Sequence, residues 1–304
     1  MASSSKKVIY AAMAGNMLIA ITKFIASFIT GSSAMLSEGI HSTVDTGNQL
    51  LILWGLKKAS QPADKEYPFG HGKEVYFWSF VVAIMIFAVG AGVSVYEGIL
   101  SLRHPHPIED PRMNYIVIGL AMIFEGFAWF YALKEFRQAK GNRGYYEAIH
   151  KEKNPTNFVV LFEDSAAMLG LLIAFLGISL GKWTGIHIFD GIASILIGLI
   201  LGITAAWLAY ETKGLLIGES ADPLIVQGIQ KIVSSNKAIE KVNEILTMHM
   251  GPDYILLNLS VDFQDDFTSP AIENSTKEIT RKIKDKFPRV KRIFIEAENQ
   301  NWHS

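Results

Sequence analysis

Residues 34–56 read AMLSEGIHSTVDTGNQLLILWGL. The run is long and apolar enough to pass for a membrane-spanning helix, yet Glu38, His41, Asp45 and Asn48 interrupt it at steps of three, four and three. Such steps place all four on one helix face. A carboxylate inside a bilayer costs at least about 3 kcal/mol, so it lines a polar path or meets a partner. A second buried acidic pair, Glu163-Asp164, sits in the apolar run from Phe158 to Leu180. Glu125 lies in Ile-Phe-Glu-Gly-Phe, again in apolar surroundings.

A spanning helix needs roughly 20 apolar residues. Six runs qualify: Val8–Ile29, Ala34–Leu56, Val75–Leu102, Tyr115–Leu133, Phe158–Leu180 and Ile188–Tyr210. Six such runs joined by short polar loops argue against a large soluble core. Lysine sits mainly in alternate loops: Lys6 and Lys7 before the first run, Lys57, Lys58, Lys65 and Lys73 after the second, Lys140, Lys151 and Lys153 after the fourth. That bias places both termini in the cytoplasm. Met1 to Lys7 lacks the apolar centre of a signal peptide, and the location expected is a bacterial inner membrane.

After Glu211 the composition changes. Pro223–Ser234 carries apolar residues at helical spacing, and Val242–Met250 and Tyr254–Phe263 alternate as strands around Gly251-Pro-Asp. Ser269-Pro270 opens a helix to about Lys286, and Val290–Ala297 reads as a closing strand. The expected fold is an α-helical membrane domain with six transmembrane helices over residues 1–213. A small cytoplasmic α+β domain of αββαβ order, metallochaperone-like, follows over 214–304.

The chain has no cysteine, so a metal would be held by nitrogen and oxygen alone. His41 and Asp45 can offer imidazole and carboxylate to one small divalent ion from consecutive turns, leaving other positions to another helix. Glu38 and Asn48 serve as well in packing or in orienting the ligands. Glu163 and Asp164 are adjacent, and so point about 100° apart; they are not expected to be equal ligands. Glu125 suits a ligand, a proton carrier or the partner of a nearby polar group. Metal-holding imidazole and carboxylate must be deprotonated, so metal and protons compete at His41, Asp45 and Asp164. That competition is sufficient chemistry for antiport.

At this point a family resemblance emerges. His41-Ser-Thr-Val-Asp45 after Gly-Ser-Ser-Ala-Met-Leu, and Phe69-Gly-His-Gly-Lys73 in the following loop, resemble the cation diffusion facilitators, exporters of zinc and related divalent metals. Ser37-Glu-Gly-Ile-His41, Asp45-Thr-Gly-Asn-Gln49, Phe124-Glu-Gly126 and Gly218-Glu-Ser-Ala221 are most similar to the branch containing zinc transporter nine. The resemblance implies a homodimer in the lipid bilayer that exchanges a divalent ion for protons. Zinc would be carried, with Mn²⁺, Fe²⁺ or Co²⁺ as alternatives. It implies no enzymatic activity, no cofactor and no nucleic-acid partner.

Residue by residue, Asp164 falls on the family's aspartate of helix five, but Val160 stands where the first ligand of that motif belongs. Glu163, Glu125 or water would fill the place. The family's accessory loop site maps to Asp64 and His71, with Tyr67 in place of a third ligand. Lys73 and Glu219 correspond to a charge interlock near the membrane boundary of the dimer. In the C-terminal domain the family's histidines are replaced by Asn243, Asn258, Glu296 and Glu298, which implies dimerisation rather than metal binding. Two other classes remain open: a membrane sensor or scaffold that moves no ion, and an intramembrane enzyme, for which no nucleophile with its base is evident.

Overall fold

The computed structural model describes residues 2–105, 110–140, 144 and 155–299. Helices occupy all six apolar runs: α1 (Ala2–Thr30), α2 (Ser33–Ala59), α3 (Glu74–Arg103), α4 (Arg112–Lys140), α5 (Pro155–Thr184) and α6 (Ile188–Ile217). Helices α3 to α6 are long and apolar enough to cross a membrane. Among the described residues α1 contributes a shorter apolar helix, Gly15–Thr30. Helix α2 falls outside that set because its polar stripe dilutes the apolar run, so six crossings are an expectation that length and composition meet at four helices.

The chain divides into two units: residues 1–57 with 77–212, and residues 58–76 with 213–304. Residues 58–76, which the sequence reading placed before its boundary at 213, go with the second unit.

In the first unit α1 and α2 form a hairpin whose turn is encoded locally. Gly31 adopts φ +70°, the left-handed conformation that glycine supplies at a helix C-terminus. Ser32 Oγ then accepts from the Met35 N–H at 3.2 Å, an N-cap contact that opens α2. Asp190 completes this end from another helix. Its carboxylate accepts from Ser32 Oγ and the Ser33 N–H, both at 2.5 Å. The residue lies in the first turn of α6, but the backbone N–H groups it serves belong to α2.

Helix α3 contains a π turn at Ile86–Ala91, a rare form that is frequent at functional sites. Beyond it α3 packs tightly on α6. A Cβ on Gly98 would come within 2.8 Å of the Gly191 carbonyl, and one on Gly198 within 2.9 Å of the Ala91 carbonyl. Small residues that let backbones approach are the usual means of joining helices in lipid.

The second unit is a three-stranded sheet, β1 (Ile239–Gly251), β2 (Tyr254–Phe263) and β3 (Val290–Ala297), with helices α7 (Pro223–Ser234) and α8 (Ser269–Lys286). The strands lie in the order β1-β2-β3, β1 antiparallel and β3 parallel to β2. The parallel pair requires a long connection, which α8 provides. Ile255, Leu257, Leu259 and Val261 alternate along β2 and are all fully buried; Ile229 and Val233 of α7 and Ile279 and Ile283 of α8 share their core. Strand β1 starts three residues before the expected Val242. Its first pairs are interrupted by bulges near Lys241 and Asn243, and such bulges break the alternation that marks a strand in sequence.

Candidate metal centre

The polar stripe of α2 faces inward. Glu38 and Asn48 are fully buried and His41 is 1% exposed. His41 Nδ1 lies 3.1 Å from Asp45 Oδ1, although the two are not aligned as a hydrogen bond and both ring nitrogens lack a hydrogen-bond partner. Asp45 also comes within reach of the Glu163 carboxyl. Glu163 in turn accepts from Asn48 Nδ2 at 2.5 Å, which ties α5 to α2. Asp164 keeps one buried oxygen, Oδ2, without a hydrogen-bond partner.

Asp45, Glu125, Glu163 and Asp164 line one cavity of about 470 Å³. Asn16 of α1, Ser42 and Gln49 of α2 and Glu135 of α4 add polar atoms to its wall. Val160 lines it too, so the position where the family motif calls for a ligand presents an apolar side chain to the same space. His41 stands behind Asp45 and does not line the cavity. Among the described residues, no three histidine, aspartate or glutamate side chains are gathered closely enough to hold one ion together. The carboxylates therefore share one open space without forming a closed coordination shell. Buried polar atoms left without partners are costly and are concentrated where a ligand or a proton is to be received.

Glu38 and Glu125 have a partner that the sequence reading missed. Lys23 of α1 is fully buried, and its Nζ donates to Glu38 Oε2 at 2.9 Å, Glu125 Oε1 at 2.8 Å and Ser42 Oγ at 2.8 Å. Three donors meet three acceptors on two other helices, the satisfied arrangement that a buried ammonium needs. In this geometry each glutamate holds an ammonium with one oxygen. Glu38 Oε1 is turned toward Gly170 of α5, where any side chain would collide with it. The clue in the sequence is a lone lysine in the apolar run Ala14–Thr30; its acceptors, up to 102 residues away, have no local signature.

Asp64, His71, Lys73, Glu219, Asn243 and Glu298 lie in the second unit. Asp64 accepts from the Glu66 and Tyr67 N–H groups at 2.9 and 2.7 Å and faces His71 Nε2 at 3.0 Å. The Tyr67 N–H, then the imidazole, holds the Asp64 carboxyl below the usual carboxylate range. Tyr67 itself packs on the His71 ring, so this loop is organised as an Asx turn closed by a histidine. Lys73 Nζ rests 3.7 Å from Met248 Sδ, and the Glu219 carbonyl accepts from the His249 N–H at 3.1 Å. Asn243 donates to the Glu298 carbonyl at 2.9 Å, and Ser260 Oγ to the Glu298 carboxylate at 2.7 Å. In the first unit, His104 caps the C-terminus of α3.

Comparison with known proteins agrees with this architecture. Residues 9–217 match the model of the cation efflux transmembrane domain. The chain is 34% identical over 260 residues to the mouse (Mus musculus) protein named proton-coupled zinc antiporter SLC30A9, mitochondrial, covering 84% of this chain and 46% of that one. It is 24% identical over 292 residues to the manganese efflux system protein MneP of Bacillus subtilis, covering 96% and 95% of the two chains. With the cation-efflux pump FieF of Escherichia coli it shares 27% over 254 residues, or 83% and 79%. The chain spans about half the length of the antiporter relatives.

Proposed function

The chain belongs to the cation efflux family, the cation diffusion facilitators that its motifs resemble, and we propose that it exports a divalent metal ion from the cytoplasm in exchange for protons. The observation that carries this reading is the cavity between helices, walled by Asp45, Glu125, Glu163 and Asp164. Carboxylates lining a cavity in a helical membrane bundle mark ion pathways. The ion is taken up by Asp45 and Asp164, with Glu163 in the place left open by Val160 and His41 joining through Asp45. Glu38 and Glu125 serve the buried Lys23 and stand at the edge of the site. Because no three ligands are closed on one point, binding requires α2 and α5 to draw together, and the same movement exposes the site to the other side in alternating access.

Each ligand must lose its proton to bind metal, so protons arriving from the far side displace the ion. All six helices are taken as spanning, with both termini and the second unit on the cytoplasmic face. A bacterial inner membrane is the proposed location; the relatives named mitochondrial mark the alternative. Asp64 with His71 is proposed as an accessory metal site. Dimerisation is assigned to the domain following residue 213, with Lys73 and Glu219 as its charge interlock.

Zinc is the first cargo, in keeping with the antiporter relatives. Manganese is the second, favoured by one feature of the site: the ionisable groups lining the cavity are carboxylates, and an all-oxygen set suits harder ions than zinc. Vesicles containing the purified protein and a trapped metal indicator decide the matter. Entry of Zn²⁺ or Mn²⁺ driven by an outward proton gradient supports the reading and ranks the cargoes. No entry of either ion, with protein correctly inserted, rejects it in favour of a sensor or scaffold.

A further inference from the structure

Lys23 is a third charged element beside the acidic cavity, and neither the motif of α2 nor that of α5 accounts for it. It is fully buried, with its three hydrogen bonds spread over Glu38, Ser42 and Glu125. Buried lysines are rare because desolvating an ammonium is expensive, and one that persists is compensated on every side. The consequence falls on Glu125. This carboxylate lines the cavity but commits Oε1 to Lys23, and its Oε2 is buried with no hydrogen-bond partner. A second counter-charge, Glu38, keeps the ammonium in place from α2, in a space that Gly170 leaves open for its carboxylate.

We infer that Lys23 is a positioning residue that withholds Glu125 from the transported ion. With the ammonium present, a cation entering the cavity meets Asp45, Glu163 and Asp164, while Glu125 is held at the margin by an attached charge of its own. A divalent ion coordinated by one carboxylate more would be bound more tightly and leave more slowly, and a carrier has to release what it binds. The repulsion between Lys23 and the entering ion adds to the same effect. Lys23 thus sets the affinity of the site from outside its coordination shell. The inference rests on the metal-site reading of the preceding section.

Charge-matched variants separate this role from a purely structural one. Lys23→Gln/Glu38→Gln removes the ammonium with one counter-charge and frees Glu125; Lys23→Gln/Glu125→Gln removes the same charges but deletes the carboxylate that would be recruited. Zn²⁺ and Mn²⁺ are each titrated calorimetrically into the full chain in detergent, alongside wild type and Asp45→Asn. The expected result is a Kd lower than wild type by about tenfold or more in the first variant, with a wild-type Kd in the second and slower metal release from vesicles only in the first. A structural role for Lys23 would weaken binding in both. Equal or weakened affinity in the first variant, in protein that elutes as a single species, overturns the inference while wild type still binds and Asp45→Asn does not. If Asp45→Asn binds as wild type does, the site reading fails and the inference falls with it. Should Lys23→Gln/Glu38→Gln not fold, Lys23→Met/Glu38→Gln replaces it and reads the same way.

Discussion

Two polar clusters in this chain are built to opposite standards. In the sheet of the second unit, Asn243 and Ser260 both close on Glu298, donor to acceptor. In the helical unit, His41, Asp45 and Asp164 carry buried ring nitrogens and carboxylate oxygens that no hydrogen bond satisfies. Asn243 and Glu298 are two of the positions at which the resemblance implied lost histidines, and here they tie β1 and β2 to the segment that follows β3. The second cluster is expensive to maintain, since an unsatisfied buried polar atom costs about 1–3 kcal/mol and a charged one more. A fold retains such groups where something else is meant to complete them. The contrast supports the proposal that α2 and α5 handle the ion while the polar groups of the sheet do structural work.

The largest test of this contrast is the loss of a carboxylate. Asp164→Asn keeps the shape and removes the charge, and metal affinity should fall about a hundredfold, the equivalent of about 3 kcal/mol. The corresponding change on the other side, Glu298→Gln, should leave metal affinity at the wild-type value. Equal losses from the two would erase the distinction. Adding a ligand sharpens it: Val160→His places imidazole at the cavity wall and should tighten zinc binding about tenfold while changing manganese binding less, because imidazole suits zinc better. Calorimetry with both ions reads this directly, and a gain for manganese alone would count against the assigned geometry.

A smaller effect is expected where a carboxylate is satisfied within the helical unit. Asp190→Ala strips the α2 N-terminus of its acceptor and should cost about 1–3 kcal/mol, seen as a lowered midpoint of thermal unfolding. Unchanged melting would show that Ser32 alone caps the helix. The smallest effect belongs to the exposed Asp64 turn. Its carboxyl pKa is depressed by folding, so its contribution to the turn is present above the ordinary carboxylate pKa and is lost as pH falls through the lowered value. Amide exchange at Glu66 and Tyr67 should therefore lose protection below about pH 4 and be flat above it. Protection that persists in Asp64→Asn would contradict the assignment.

The sequence displays these features unequally. Apolar runs are long-range averages, so all six helices are legible, and the period of the α2 stripe shows that Glu38, His41, Asp45 and Asn48 share a face. The β2 core is legible through its alternation. What each polar residue touches is another matter. Asp190 reads as a charge at the start of its own helix, whereas its acceptor oxygens serve α2, 157 residues earlier. Lys23 disappears in an apolar run because one charge barely changes the average. Glu38 and Glu125 look like further ligands until the ammonium between them is seen. Side-chain type and spacing specify a face; the partner on the opposite helix depends on how the bundle packs.

Asp45 joins the cavity to His41. The most direct test of its role records metal entry and internal pH together in vesicles bearing wild type or Asp45→Asn, with Zn²⁺ and then Mn²⁺ supplied outside. Wild type should admit metal with a matching outward movement of protons, and both signals should vanish together in Asp45→Asn. Metal and proton movements that continue in the variant would show that the ion takes another path and that the α2 stripe is structural.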